Sequence, residues 1–278
     1  MKLGLIGYGA VALQALDALA AAVVRPLDAL VVLARPGRSS SAQEALRRLQ
    51  GRLAHDVIVV ETIERLIEYG PRIVAEAAGQ EAVRASGPAL LAAGVDLLVV
   101  SAGALADRSV RDALDNASAA GGGRWECCAG AVGGLDILAA ARLAGLEEVI
   151  YTSRKPPQAW IGTPAERIID LASMSEATCF FEGDAASASR AYPQNANVAA
   201  TIALAGAGFE RTRVRLVADP ASTRNVHVIR IRSACVDVTI DIAGHPAPGN
   251  PKTSLTTGYA MAANLLARLS KPIHDFKQ

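Results

Sequence analysis

Short aliphatic runs alternate with helical patterns along the first half of the chain. The runs contain few polar residues, which is typical of strands buried on both faces of a parallel sheet. They are predicted at Lys2–Ile6, Ala29–Ala34, Val57–Val60, Ile73–Ala77, Asp96–Ser101 and Arg124–Cys128. One helix is predicted over Ala10–Val24, and Ser41 with Glu44 forms a capping-box pattern opening a second helix towards Gln50. The alternation predicts a Rossmann-type, doubly wound α/β fold.

The pattern changes after about Gly134, where alternation of apolar and polar residues with period two becomes common. Such strands are predicted at Thr212–Ala218, Asn225–Ser233 and Val236–Ile242, after a strand at Val149–Arg154 and helices at Gly134–Ala144 and Asn197–Ala207. Asn250-Pro251 introduces a last helix over Thr253–Leu269. Period two indicates a largely antiparallel sheet with one face in water. The second half therefore predicts a separate α+β region.

Composition and charge exclude several classes of protein. Hydrophobic residues make up 51% of the 278 residues, aromatic residues only 4%, and the formal net charge is +1. A near-neutral chain without basic runs argues against nucleic-acid or anionic-membrane partners. No charge-free apolar run reaches the roughly 18 residues of a membrane helix. The four cysteines lack C-x-x-C spacing, so we expect neither a metal site nor disulfides. We expect the protein to be soluble and cytoplasmic.

A glycine-rich turn follows the first strand. Gly7 permits a tight turn, Gly9 lets the backbone approach a pyrophosphate, and Ala12 is small enough for close packing of helix on strand. The N–H groups of Ala10 and Val11 would bind the phosphates at the helix N-terminus. The turn predicts dinucleotide binding, and a tight turn without a ligand is the alternative.

The end of the second predicted strand bears on the choice of dinucleotide. Sites selective for NAD commonly carry an Asp or Glu there, which binds the ribose 2′-hydroxyl. This chain has no acid at that point, and Arg35, Arg38 and the serines Ser39 and Ser40 could instead bind a 2′-phosphate. We expect NADP to be accepted, with NAD still open. A solvated loop with two arginines is the alternative.

Two further strand ends contain small residues that permit close contact with a nicotinamide or its ribose. The first includes Ala102 and Gly103, and the second is the GAVGG segment with Ala131. Both fall at predicted carboxyl ends of parallel strands, where open α/β sheets bind ligands. Plain turn glycines are the alternative for each.

Candidate proton-transfer and carboxylate-binding residues lie in the second half. Asn225 and His227 are two apart on a predicted strand and share a face, and histidine suits proton transfer near neutrality. Lys252 and Thr253 lie at the predicted start of the last helix, where free N–H groups would also attract a carboxylate. A structural histidine and ordinary helix capping are the alternatives. Lys155, in a Lys-Pro-Pro turn, is another candidate carboxylate ligand.

Taken together, these motifs resemble the L-aspartate dehydrogenase family over nearly the whole chain. They are GLIGYGAVA, EAAGQEAV, VVSAGALAD, GAVGGLD, Lys-Pro-Pro, NANVAATIALAG, Asp-Pro, Asn-x-His and NPKTS. The resemblance implies NAD(P)-dependent oxidation of L-aspartate to iminoaspartate, which hydrolyses to oxaloacetate and ammonia. It implies that His227 is the active-site acid/base, that Ala131 and Asn197 contact the cofactor, and that no metal is needed.

The expected domains are residues 1–134 for the dinucleotide and 135–252 for the substrate and oligomerisation, with the helix 253–278 packed back on the first domain. A homodimer or a homotetramer is expected.

Cys128-Ala129 stands where the family often has a serine, which puts one cofactor contact in doubt. An imine or semialdehyde reductase resembling dihydrodipicolinate reductase stays open as an alternative, as does a dinucleotide sensor without turnover. The pathway that uses the product, either pyridine nucleotide biosynthesis or amino-acid breakdown, is left open.

Overall fold

The computed structural model describes residues 1–193, 197–247 and 250–269, with only the backbone described for 250–253. The chain forms two compact units. The first comprises Met1–Ser101, Ser109–Cys128 and the residues from Gly258 onward. The second comprises Ala102–Arg108 and Ala129–Thr257. The domain limits expected from sequence, 1–134 and 135–252, stay a prediction.

A parallel sheet of six strands forms the centre of the first unit. The strands are β1 (Lys2–Ile6), β2 (Leu27–Leu33), β3 (Ala54–Val60), β4 (Ile73–Glu76), β5 (Asp96–Val99) and β6 (Trp125–Cys127). Their order is β3-β2-β1-β4-β5-β6, and every neighbouring pair is parallel. This order reverses between β1 and β4, where doubly wound sheets bind their ligands. The predicted Rossmann-type fold is confirmed.

Helices connect these strands, because each parallel pair needs a crossover. They are α1 (Ala10–Ala22), α2 (Ser39–Leu46), α3 (Ile63–Glu68), α4 (Gln80–Ala92) and α5 (Arg108–Gly121). The predicted capping box is wrong, since α2 begins at Ser39 and Ser41 already lies inside it. Glu44 instead accepts a hydrogen bond from the Arg47 guanidinium at 2.7 Å.

The second unit contains a mixed sheet of five strands. They are β7 (Leu146–Lys155), β8 (Thr178–Asp184), β9 (Thr212–Ala218), β10 (Asn225–Ser233) and β11 (Asp237–Gly244). The order is β11-β10-β7-β9-β8, in which β7 and β9 are parallel and the other neighbours antiparallel. Helices α6 (Leu135–Ala144), α7 (Ala185–Ala191) and α8 (Asn197–Ala205) belong to the same unit. The expected α+β region is confirmed, although β8 was not predicted.

A small two-stranded sheet replaces the predicted start of the last helix. Strands β12 (Pro246–Ala247) and β13 (Asn250–Ser254) are antiparallel, and helix α9 runs over Thr256–Leu269. The prediction of a helix from Thr253 is therefore wrong. Proline fits the first turn of a helix as well as an edge strand, and here pairing of β13 with β12 decides between them.

Helix α9 contributes to the core of the first unit. Its Met261, Ala262 and Leu265 are buried in one apolar cluster with Leu3 of β1 and Leu16 of α1. Because these side chains recur at helical spacing, one face of α9 is apolar and is covered by that core. The last described helix thus packs with elements from the start of the chain.

Candidate active site

Gly7 forms the turn at the carboxyl end of β1. Its φ of +87° lies in the left-handed region that favours glycine. A Cβ atom built on Gly7 would lie only 2.8 Å from the Cβ of Ala78, in the loop after β4. Both backbone conformation and space therefore require glycine here, and the tight turn expected from sequence is present.

Gly9 precedes α1 and leaves open space beside the helix N-terminus. A Cβ built on Gly9 would meet no atom within 4 Å in the described structure. No side chain caps this end of α1, and its first turn contains no acidic residue. The N–H groups of Ala10 and Val11 therefore face a site suited to an anion. These residues fit the pyrophosphate of a dinucleotide.

Glu61 is an acidic residue that sequence analysis missed. It follows β3, yet its Oε1 accepts hydrogen bonds from the Gly37 N–H (3.0 Å) and the Ser39 hydroxyl (2.5 Å) in the loop after β2. Hydrogen bonding, led by the Ser39 hydroxyl, lowers the pKa of Glu61. Arg35 and Arg38 of the same loop are exposed. The loop after β2 thus combines two cations with a carboxylate, because β3 lies beside β2 in the sheet.

Glu76, the last residue of β4, is a second carboxylate that sequence analysis left without a role. It is fully buried. Its Oε1 accepts hydrogen bonds from the N–H groups of Ala78 and Gly79, both at 2.8 Å, and from the Ser101 hydroxyl at 2.9 Å. Its Oε2 accepts from the Ser101 N–H at 3.0 Å. One carboxylate therefore joins the loops that follow β4 and β5.

The predicted residues Gly103 and Asn197 lie together in the second unit. The Gly103 N–H donates to the Asn197 side-chain oxygen at 3.0 Å, and Ala102 and Gly103 are buried in a 3₁₀ turn. Ala131 is also buried, just after the turn residue Gly130 with its φ of +65°. Ala102, Gly103 and Ala131 are small residues in turns, whereas Asn197 begins α8. The contacts of all four residues to a cofactor stay a prediction.

A polar patch lies at one end of the buried face of the second sheet. Its members alternate along two adjacent strands and are at most 3% exposed: Tyr151, Ser153 and Lys155 on β7, and Asn225 and His227 on β10. His227 pairs across the strands with Ser153. The shared face of Asn225 and His227, expected from their spacing, is present.

His227 is held by one ring nitrogen. Its Nδ1 lies 2.7 Å from the Tyr151 hydroxyl oxygen, whereas its Nε2 is buried and has no hydrogen-bond partner in the described part of the chain. Burial raises the pKa of Tyr151, so the phenol stays neutral. Burial and the charge of Lys155 lower the pKa of His227 to about 3. The imidazole is therefore neutral and carries one unused nitrogen.

Lys155 provides a buried positive charge in the same patch. Its Nζ lies 5.5 Å from the centre of the Trp160 ring, within the range of a cation–π interaction. Burial lowers the pKa of Lys155 to about 8. Lys155 was one of the candidate carboxylate ligands expected from sequence, although Lys-Pro-Pro also suits a plain turn.

Lys252 and Thr253 do not lie at the start of a helix, where they were expected from the sequence. Both lie on strand β13, and the helix begins after them at Thr256. Free helix N–H groups therefore do not accompany these two residues, and their side chains lie outside the described structure. Gln194 and Asn195, a polar cluster before α8, also lie outside the described residues.

The described residues contain neither a cluster suited to a metal ion nor a membrane-spanning helix. No group of three or more His, Cys, Asp or Glu side chains could hold a metal ion. No described helix has the length and apolar character needed to span a membrane.

Two family models match the chain in succession. The model described as "Homoserine dehydrogenase, NAD binding domain" matches residues 7–127. The model described as "Aspartate dehydrogenase, C-terminal" matches residues 136–268. The first match contains the glycine turn, and the second contains Lys155 and His227.

Related curated proteins and a solved structure agree with these models. The chain is 40% identical to L-aspartate dehydrogenase of Ruegeria pomeroyi over 268 residues, which covers 96% of this chain and 92% of the relative. It is 46% identical to that of Pseudomonas aeruginosa over 195 residues, covering 70% and 73%. The crystal structure of aspartate dehydrogenase from Thermotoga maritima matches with a TM-score of 0.73 and 25% identity over 98% of both chains. The resemblance seen in the motifs is confirmed, and the chain belongs to the L-aspartate dehydrogenase family.

Proposed function

We propose that this protein is an NAD(P)-dependent L-aspartate dehydrogenase. It oxidises L-aspartate to iminoaspartate, which water converts to oxaloacetate and ammonia. The observation that carries this proposal is the buried His227, whose Nε2 lacks a partner in the described structure, in one polar patch with Lys155. A sensor without turnover would not need a proton acceptor there, and the relatives named above favour aspartate over the substrates of related reductases.

The dinucleotide binds to the first unit. Gly7 and Gly9 give its pyrophosphate room, and the N–H groups of Ala10 and Val11 bind it. Arg35 lies in the loop that reaches the adenosine ribose in sheets of this order. When bound, the nicotinamide accepts a hydride from the substrate Cα. Ala102, Gly103, Ala131 and Asn197 are proposed to contact the cofactor as well.

His227 moves the protons of the reaction. In its base form, Nδ1–H donates to the Tyr151 oxygen, which leaves the Nε2 lone pair for the substrate ammonium. Loss of that proton gives the neutral amine, and the hydride can then leave from the substrate Cα. Once Nε2 has released that proton to solvent, it accepts a proton from the water that adds to the imine carbon. Transfer of this second proton to the amine nitrogen then lets ammonia leave as the carbonyl of oxaloacetate forms.

Lys155 binds a carboxylate of the substrate. A buried ammonium attracts a dianion strongly, because little water is present to screen it. The negative charge of the bound substrate offsets Lys155 and raises the pKa of His227 from its low value in the empty protein. Asn225 lies in the same patch and is proposed to bind substrate as well. Roles for Lys252 and Thr253 in substrate binding also stay proposals.

The test of this function is the absorbance of NAD(P)H during incubation with each cofactor and a panel of amino acids. We expect L-aspartate to be oxidised and D-aspartate and L-alanine to be inert, since the site must hold two carboxylates in one chirality. The reverse reaction should require oxaloacetate and ammonia together. Turnover with another oxo acid, but none with aspartate, would identify a relative with a different substrate.

Replacement of Glu61 by glutamine is expected to shift the enzyme towards NADP. The change removes a negative charge from the loop after β2 and releases the Ser39 hydroxyl for a 2′-phosphate. The ratio of kcat/KM for NADP to that for NAD should rise about fivefold, the effect of one charge near the surface. Arg35→Asp should lower the same ratio. Glu64→Gln, on the exposed start of α3, is the matched control. Equal ratios in all four proteins would exclude this loop from cofactor selection.

Assembly and location complete the proposal. The protein is proposed to form a homodimer or homotetramer, with the exposed face of the second sheet as the interface. Light scattering of the purified protein measures the mass of this assembly. It is proposed to act in the cytoplasm, and none of its cysteines forms a disulfide in the described structure.

A further inference from the structure

We propose that Glu76 is a positioning residue for the dinucleotide, because its carboxylate joins the strand ends that form the cofactor site. The inference rests on the proposed function, since it assumes that the loops at this edge of the sheet bind NAD(P). Glu76 itself lies beneath these loops and acts through them.

The hydrogen bonds of Glu76 fix two loops at once. Three backbone N–H groups and one hydroxyl donate to its two oxygens, at 2.8–3.0 Å. Ala78 and Gly79 follow β4, and Ser101 follows β5. Since β4 and β5 are parallel neighbours, their carboxyl ends lie at the same edge of the sheet. A single buried side chain therefore sets the spacing of both loops.

The loop that Glu76 holds also packs against the glycine turn after β1. Ala78, whose N–H donates to Glu76, is the residue that would collide with any Cβ on Gly7. The turn that receives the pyrophosphate therefore packs directly against a loop whose position Glu76 determines. Strands β1 and β4 flank the point where the strand order reverses. Glu76 thus connects three strand ends at the place where such sheets bind dinucleotides.

A carboxylate is required for this role, and an amide of the same shape is not equivalent. All four groups facing Glu76 are donors in this arrangement, and an ionised carboxylate has only acceptors. Glutamine would place its own N–H groups against at least one donor and leave buried polar groups without partners. Burial raises the pKa of Glu76, and the four hydrogen bonds oppose that shift.

The experiment is a titration of the purified full chain with NADH and NADPH, followed by nucleotide fluorescence. Glu76→Gln is expected to raise Kd about tenfold or more, the effect of leaving buried donors unsatisfied. Ser101→Ala removes one donor and should raise Kd less, about threefold. The matched control is Glu81→Gln, an exposed glutamate in the first turn of α4, which should leave Kd within about twofold of wild type.

A second readout separates positioning from general destabilisation. At saturating cofactor, the KM for L-aspartate in Glu76→Gln should stay close to that of wild type, because the substrate patch belongs to the second unit. Wild-type Kd in Glu76→Gln would overturn the inference, as would equal weakening in Glu81→Gln. If Glu76→Gln does not fold, unchanged Kd in Ser101→Ala overturns it. Absence of dinucleotide binding by the wild-type protein would instead refute the proposed function.

Discussion

Replacement of His227 by glutamine should lower kcat for L-aspartate oxidation by about 10²- to 10⁴-fold, the range observed for loss of a general base. Glutamine is polar and of similar size, but it has no lone pair that can accept a proton at neutral pH. The ammonium of the bound substrate would then keep its proton, and the hydride could not leave. Steady-state rates measure the loss of catalysis, and the Kd of NADH measures cofactor binding separately. We expect this Kd to be unchanged.

The matched control for this variant is His55→Gln. His55 is an exposed histidine on β3, and its replacement should leave kcat within about twofold of wild type, as is usual at exposed positions. A His227→Gln protein with nearly normal kcat would show that another group accepts the proton. A drop in kcat together with loss of NADH binding would indicate that the substitution damaged the fold.

Replacement of Lys155 by methionine should raise the KM for L-aspartate by about 100-fold, as expected when a buried charged partner is removed. Methionine preserves the apolar part of the side chain against Trp160 and removes only the charge. The Kd of NADH should not change, because the residues proposed to bind the pyrophosphate lie in the first unit. Arg52→Met removes an exposed positive charge from the first unit and should leave KM as in wild type.

The pH dependence of succinate inhibition gives an independent test of Lys155. Succinate has both carboxylates but no amino group, so its own ionisation does not interfere above about pH 6. A carboxylate binds the protonated lysine, and the pKa of Lys155 is lowered to about 8 in the free protein. Affinity should therefore be constant below that pH and fall above it. Lys155→Met should bind succinate weakly at every pH. A wild-type affinity that stays constant up to pH 10 would contradict the assignment.

Local patterns were sufficient to predict the features that depend on neighbouring residues. The glycine turn between β1 and α1 is encoded within a few residues, and the common face of Asn225 and His227 follows from strand geometry alone. The doubly wound parallel sheet also follows from the repeated alternation of strands and helices. For these features, the sequence and the structure agree.

Contacts between distant parts of the chain could not be predicted in this way. Glu61 lies 22 residues beyond Ser39, and His227 lies 76 residues beyond its partner Tyr151. Each pair meets only because two particular strands are neighbours in a sheet. The predicted helix start at Thr253 failed for a different, local reason, since pairing with the nearby strand β12 outweighed a preference for a helix.

The position of α9 has a consequence for how the protein is made. Its Met261 and Leu265 are fully buried in the core that also contains Leu3 and Leu16, at the opposite end of the chain. A nascent chain that has not reached α9 leaves that core partly open to water. The unit with the glycine turn cannot be completed while the ribosome is still adding the second unit. We expect the growing chain to need protection from aggregation until α9 has left the ribosome.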